Sequence, residues 1–252
     1  MSQREKYTLI IAIYGCVTID KYAKEIQMVN ETWGKLAFQT PNIKLIYFLG
    51  EEENMKFQGE QYVYLKNVKN DYLSASYKQF TGLKYIYDNY NTDFVICCGT
   101  DTYLNIPKLI KFLKNFEPSH NLYIGGHGCH RTIYEKSYYF HSGGPGFIIT
   151  ENCLQKLYPL LDNLMDDWIN VCNENKNNLH PACDVAIAYY LQKYLDVVVF
   201  KVNDLSFLYC NCIGYPCHQG KIKMDDIISC HNMSPIDFIY FTKILQENNY
   251  FV

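Results

Sequence analysis

The sequence predicts an α/β domain, a mixed and mainly parallel sheet with helices on both faces. Three observations lead there. Strand and helix signals alternate along the chain. Several apolar runs, YTLIIAIY, IKLIYFLG and DFVICC among them, have the length of buried strands. The 252 residues, 48% of them hydrophobic, suffice for one sizeable core.

The elements follow in order. Residues 7–14 read as the first strand, and 20–36 carry a helical pattern through Ile26, Val29 and Trp33. Pro41 introduces a second strand, 43–50, closed by Gly50. After an acidic loop, QYVYL (61–65) reads as a short third strand and 71–90 as a helix with Ser76, Phe80 and Leu83 on one side. The buried strand DFVICC then ends at Gly99-Thr100-Asp101. Asn105 is placed to cap a helix with Pro107 in its first turn and an apolar stripe through Leu109, Leu113 and Phe116. NLYIGG (121–126) is a strand signal, followed by a polar, aromatic stretch to His141. A glycine-rich loop, 142–146, leads into FIIT and a helix starting near Glu151. A polar linker, 173–178, precedes a helix from Asp184 to Tyr194, the strand VVVFKV and a cysteine-rich tail. No internal repeat or composition break divides the chain, so 1–252 reads as a single domain.

Charge and apolar patterning narrow the function classes. The net charge of −3 gives no basic surface for nucleic acid. The best apolar run, Tyr7 to Ile19, is too short to span a bilayer, so no transmembrane segment is expected. It also lacks the signal-peptide pattern. The expectation is a soluble protein, cytoplasmic or otherwise intracellular, without a membrane anchor. The 11 cysteines do not form a complete disulfide framework by count. Cys97 and Cys98 read as core thiols. Cys210, Cys212, Cys217, His218, Cys230 and His231 crowd one region without a common zinc spacing, which leaves structural zinc, scattered thiols and a local disulfide open.

One carboxylate attracts attention on position. In open α/β sheets ligands bind beyond the carboxyl ends of the strands, where Asp101 falls. A carboxylate there suits a hard cation that bridges diphosphate oxygens, and it equally suits a turn or a helix cap. Asp184 starts a helix, where it can cap and where the helix end favours its ionised form. Gly143, Gly144 and Gly146 permit positive φ and close backbone approach, as a sugar or phosphate site needs and as a tight turn also does.

Six segments, in order, carry a family resemblance. Thr32-Trp33-Gly34 resembles a Thr-Trp-Gly segment on the first helix. Asp71-Tyr72-Leu73-Ser74 with Lys78 resembles an Asp-Tyr-x-x-Leu-Thr-x-Lys run. Gly99-Thr100-Asp101-Thr102-Tyr103-Leu104 resembles an Asp-Asp-Asp-Thr-Tyr-Val metal motif. Ser142-Gly143-Gly144-Pro145-Gly146-Phe147 resembles Ser-Gly-Gly-Ala-Gly-Tyr. Cys183-Asp184-Val185 lies where Glu-Asp-Val is usual, and Ser229-Cys230-His231 resembles a late Ser-Phe-His. The chain is thereby similar to the fringe and β1,3-glycosyltransferase family, which includes the core-1 galactosyltransferases.

That resemblance implies a GT-A-type, Rossmann-like fold with a nucleotide-binding half (about 1–105) and an acceptor-binding half (106–252). It implies an inverting transfer of a sugar from a UDP-sugar to an acceptor hydroxyl on a glycan or glycoprotein. Asp101 and His231 would hold Mn²⁺ (or Mg²⁺), Asp184 would be the general base, and Asp71, Lys78, Thr100, Asp101, Gly143 and Gly144 would lie on the donor side. Without the resemblance, Lys78 reads as a solvated helix lysine. Two departures stand out: Gly99 replaces the first acid of the metal motif, and Cys183 replaces the acid beside Asp184. They keep two alternatives open, a non-catalytic fringe-like carbohydrate- or protein-binding module and a zinc-stabilised interaction protein.

Overall fold

The computed structural model describes residues 4–52, 55–176, 179–203, 206–208 and 226–247. Its centre is a seven-stranded sheet. The strands are β1 (Glu5–Tyr14), β2 (Ile43–Glu51), β3 (Tyr62–Lys69), β4 (Tyr90–Gly99), β6 (Leu122–Gly125), β9 (Phe147–Thr150) and β10 (Val198–Lys201). Their spatial order is β10-β6-β9-β4-β1-β2-β3. Every neighbouring pair is parallel except the two made by β9, which runs against β4 and β6. The predicted mixed, mainly parallel sheet is therefore present, and both halves of the chain contribute to it.

Strand β1 shows why both faces are covered. It alternates by the two-residue period of a strand, so Ile10 and Ala12 join one core while Leu9, Ile11 and Ile13 join the other. The first core takes residues from α3 (Ala75–Asn89), α5 (Glu151–Leu157), α6 (Leu164–Glu174) and α7 (Cys183–Tyr194). The second takes residues from α1 (Asp20–Glu31), α2 (Trp33–Gln39), α4 (Ile106–Leu113) and α8 (Pro235–Glu247). The capping prediction at Asn105 holds, since its side chain accepts from the Lys108 amide.

Three local expectations are corrected. The single helix over 20–36 is two helices broken at Thr32, whose φ and ψ are both −116°. Gly34 then passes the Val29 carbonyl so closely that an added Cβ would lie 2.5 Å from its oxygen. The break swings Trp33 into the core, where its indole N–H donates to the Thr102 carbonyl at 3.1 Å. The polar stretch before His141 is a hairpin, β7 (Gly128–Ile133) with β8 (Lys136–His141). Its turn places Tyr134 and Glu135 at positive φ, a conformation usually signalled by Asn-Gly. The third strand runs on to Lys69 with a register shift opposite Gly50 and Glu51.

A small second sheet, β11-β12-β5, decides the site. Strand β5 (Tyr103–Leu104) pairs antiparallel with β12 (Ser229–Cys230), which lies parallel to β11 (Phe207–Leu208). Cys230 sits opposite Tyr103, so the residue after the one faces the residues before the other.

Candidate active site

The order of the strands reverses between β1 and β4: the chain runs outward from β1 through β2 and β3, then returns to β1's other side. Beyond the carboxyl ends of those two strands lies a cavity of about 380 Å³. Gly15 and Cys16 line it from β1, Gly99 to Asp101 from β4, and Asp71, Tyr72 and Lys78 from around the start of α3. The wall from the second half carries Gly143, Gly144, Cys183, Asp184 and His231. All eight predicted site residues border this one cavity.

Asp101 and His231 are brought together by the β5–β12 register. His231 Nε2 lies 3.4 Å from Asp101 Oδ1, and each side chain is about one-fifth exposed. Backbone bonds lock the arrangement, from His231 N to Leu208 O at 2.9 Å and from Met233 N to Asp101 O at 3.0 Å. Gly144 lies against the imidazole, where an added Cβ would come within 2.6 Å of the ring. A carboxylate oxygen and an imidazole nitrogen at this separation, opening on a cavity, have the chemistry to share one divalent cation such as Mn²⁺ or Mg²⁺. Among the described residues no three His, Cys, Asp or Glu side chains converge on one point.

The strand-end turn is held from below. Thr102 Oγ donates to the Gly144 carbonyl at 2.6 Å, tying the turn to the glycine loop. The Thr100 hydroxyl is committed to Glu25, a buried carboxylate on α1. Burial pushes the Glu25 carboxyl above its ordinary range, and the Asp101 charge adds to the rise against the Thr100 bond.

Asp184, also at the cavity, stands in the first turn of α7. Its Oδ2 accepts from Gly143 N and its Oδ1 from Val185 N, both at 2.9 Å. Burial raises its pKa above the usual aspartate value even though these backbone N–H groups favour the charged form. A carboxylate so placed is a stronger proton acceptor than an exposed one. The segment that presents it is pinned by three side chains: Ser76 Oγ and Trp168 Nε1 donate to His180 O at 2.6 and 3.1 Å, and Gln79 Nε2 donates to Cys183 O at 2.7 Å. Burial also pushes the neighbouring Cys183 thiol up, so it lines the cavity as a neutral group.

Lys78 is not the solvated lysine that its helix position suggests. It is 2% exposed, and its ammonium donates to the Asp71 carbonyl at 2.7 Å. Burial lowers its pKa, opposed by the nearby Cys16 and Asp71. The Asp71 carboxylate itself accepts from Ser74 N at 2.9 Å and shapes the entry to α3. Tyr22 and Tyr72 stack at the cavity with ring centroids 6.4 Å apart. Sequence reasoning missed Glu25 and Gln79; the only signal for Glu25 is an acid among the apolar residues Ala23, Ile26 and Val29 of its helix, and Gln79 has none. Cys210, Cys212, Cys217 and His218 of the cysteine-rich tail lie outside the described residues.

A family model described as Fringe-like matches residues 5–208. The chain belongs to the Fringe-like family. The human protein "UDP-GalNAc:beta-1,3-N-acetylgalactosaminyltransferase 1" is 20% identical over 208 residues, which cover 69% of this chain and 63% of that one. Its Pongo abelii counterpart matches to the same extent. The chain thus spans under two thirds of the length of these relatives. Among solved structures, the Streptococcus pneumoniae TIGR4 glycosyltransferase GlyE aligns with a TM-score of 0.55 at 12% identity, over 97% of this chain and 63% of that one. A glycosyltransferase involved in glycosylation of the PBCV-1 major capsid aligns with a TM-score of 0.50 at 14% identity, over 93% and 99%. At these identities the likeness concerns the fold, which is of the GT-A type. No helix among the described residues is long and apolar enough to cross a membrane.

Proposed function

We propose that this chain is an inverting glycosyltransferase that moves a sugar from a UDP-sugar to an acceptor hydroxyl on a glycan or glycoprotein. The observation that carries the reading is the meeting of Asp101 and His231 at 3.4 Å at a cavity that Asp184 also lines. Family membership and the UDP-sugar in the human relative's name support the donor class.

Each residue then has a task. Asp101 and His231 would hold Mn²⁺ or Mg²⁺, which would supply positive charge to the donor diphosphate. Lys78, a buried cation at the same cavity, adds charge on that side as the bond from C1 to the diphosphate oxygen breaks. Asp184 takes the proton from the acceptor hydroxyl, and the freed oxygen attacks C1 from the face opposite the leaving group. That single displacement inverts the anomeric centre. The backbone N–H groups of Gly143 and Val185 keep the Asp184 carboxylate in one orientation while it waits for the proton.

Thermal unfolding with a panel of nucleotide sugars, with and without Mn²⁺, tests the reading. UDP or a UDP-sugar together with Mn²⁺ should raise the melting temperature beyond either alone, since a ligand of the native state stabilises it by mass action. Slow hydrolysis of one UDP-sugar should accompany it. A protein indifferent to every nucleotide diphosphate would instead be a non-catalytic binding module, the reading that Gly99 in the metal motif favours.

A further inference from the structure

We propose that Glu25 supplies the negative charge that Gly99 does not, acting on the Asp101–His231 cation site through the Thr100 hydroxyl as a positioning residue. The inference rests on the metal assignment just made. The turn Gly99-Thr100-Asp101 has a single acid where the family's motif has three. The structure brings a second carboxylate to that turn from α1, since Glu25 Oε2 accepts from Thr100 Oγ.

Nothing about the fold by itself calls for an acid there. Glu25 is 2% exposed among Ala23, Ile26 and Val29, the other buried residues of α1. A carboxylate so buried is unfavourable unless well paired. Its cationic partner, Lys21 Nζ, stands 3.6 Å away on a side chain that is 64% exposed, a weak pair. The nearby Asp101 charge makes matters worse rather than better. Glu25 and Asp101 also share a second cavity, bordered by Lys21, Lys24, Met233 and Ser234. Two carboxylates held beside one another repel, and a divalent cation on the Asp101 side relieves that repulsion. Among the described residues no three such side chains converge, and the Glu25 carboxylate is bonded to Thr100, so Glu25 is not a third ligand. It fixes the Thr100–Asp101 peptide through the hydroxyl and adds charge one shell out, as outer-shell carboxylates do for metal ligands.

The test is Mn²⁺ binding, followed by calorimetry and by the electron-paramagnetic-resonance signal of free Mn²⁺, with UDP present. Glu25→Gln keeps the size and an acceptor for Thr100 and removes only the charge. Its Mn²⁺ Kd should rise by about 10–100-fold, the range for outer-shell partners. Its metal-free melting temperature should stay equal or rise, because a buried charge has been removed, whereas a purely structural Glu25 would lower it. Thr100→Val, which cuts the link and leaves the turn's shape, should weaken Mn²⁺ in the same direction. Wild-type Mn²⁺ affinity in Glu25→Gln, with affinity lost in Asp101→Asn, overturns the Glu25 role alone. Mn²⁺ ignored by the wild type overturns the metal assignment and this inference together.

Discussion

Asp101 and Asp184 line one cavity, and the chain treats them differently. Asp101 follows the carboxyl end of a strand, stays about one-fifth exposed, and has an imidazole 3.4 Å away. Asp184 opens a helix, receives backbone N–H groups on both oxygens, and has its pKa raised by burial. A cation site needs charge, access and a second ligand close by. A general base needs a fixed orientation and a pKa nearer the working pH. The surroundings, rather than the residue type, divide the proposed roles.

The largest effect should come from removing the base. In Asp184→Asn the size survives and the remaining oxygen keeps one of the two backbone N–H bonds, so UDP and Mn²⁺ should still raise the melting temperature while turnover falls about 10²–10⁴-fold. One N–H loses its acceptor at a fixed cost, and beyond that cost the variant should gain on the wild type at neutral pH. A carboxyl whose folded pKa is raised favours folding only while protonated, so ionisation penalises the native wild type and not the variant. That gain should vanish as the pH falls below the ordinary aspartate range. Near-normal turnover in this variant would break the contrast between the two carboxylates.

The adjacent glycines sharpen the contrast. In Gly144→Ala the new Cβ would lie 2.6 Å from the His231 ring, so the imidazole must leave and the Mn²⁺-dependent thermal shift should disappear. In Gly143→Ala it would meet the Asp184 Cβ at 3.3 Å, a displacement of a few tenths of an ångström. That variant should keep the metal-dependent shift and lose turnover by less than the ~10²-fold that a misplacement of about 1 Å produces. Equal loss of the metal shift in both would show that the loop moves as a unit.

A smaller effect concerns His141, just before this loop. Its ring is fully buried against Tyr123 and Tyr139, neither nitrogen has a hydrogen-bond partner among the described residues, and burial lowers its pKa to about 4. Below pH ~6.5 the unfolded chain gains a proton that the folded one refuses, so stability falls between about pH 6.5 and 4 by at most about 3 kcal/mol. In His141→Phe, denaturant titrations across that window should show a shallower decline. An unchanged slope would assign the acid sensitivity elsewhere, Asp184 being excluded because its raised pKa acts in the opposite sense.

The sequence by itself determined the parts that depend on local pattern. Alternating strand and helix signals, the apolar run before Gly99, the cap at Asn105 and the ordered motifs from Trp33 to His231 made the fold and the cavity residues legible. Turn geometry without Gly or Asn was not, which is why the hairpin around Tyr134 and Glu135 was missed. The break at Thr32 was missed because apolar spacing continues through it. Tertiary structure alone decided that two-residue strands pair in the register that seats His231 beside Asp101, that Lys78 is buried, and that Glu25 reaches the strand-end turn. Each of these depends on contacts between residues far apart in the chain, and periodicity within one segment carries no information about what packs against it.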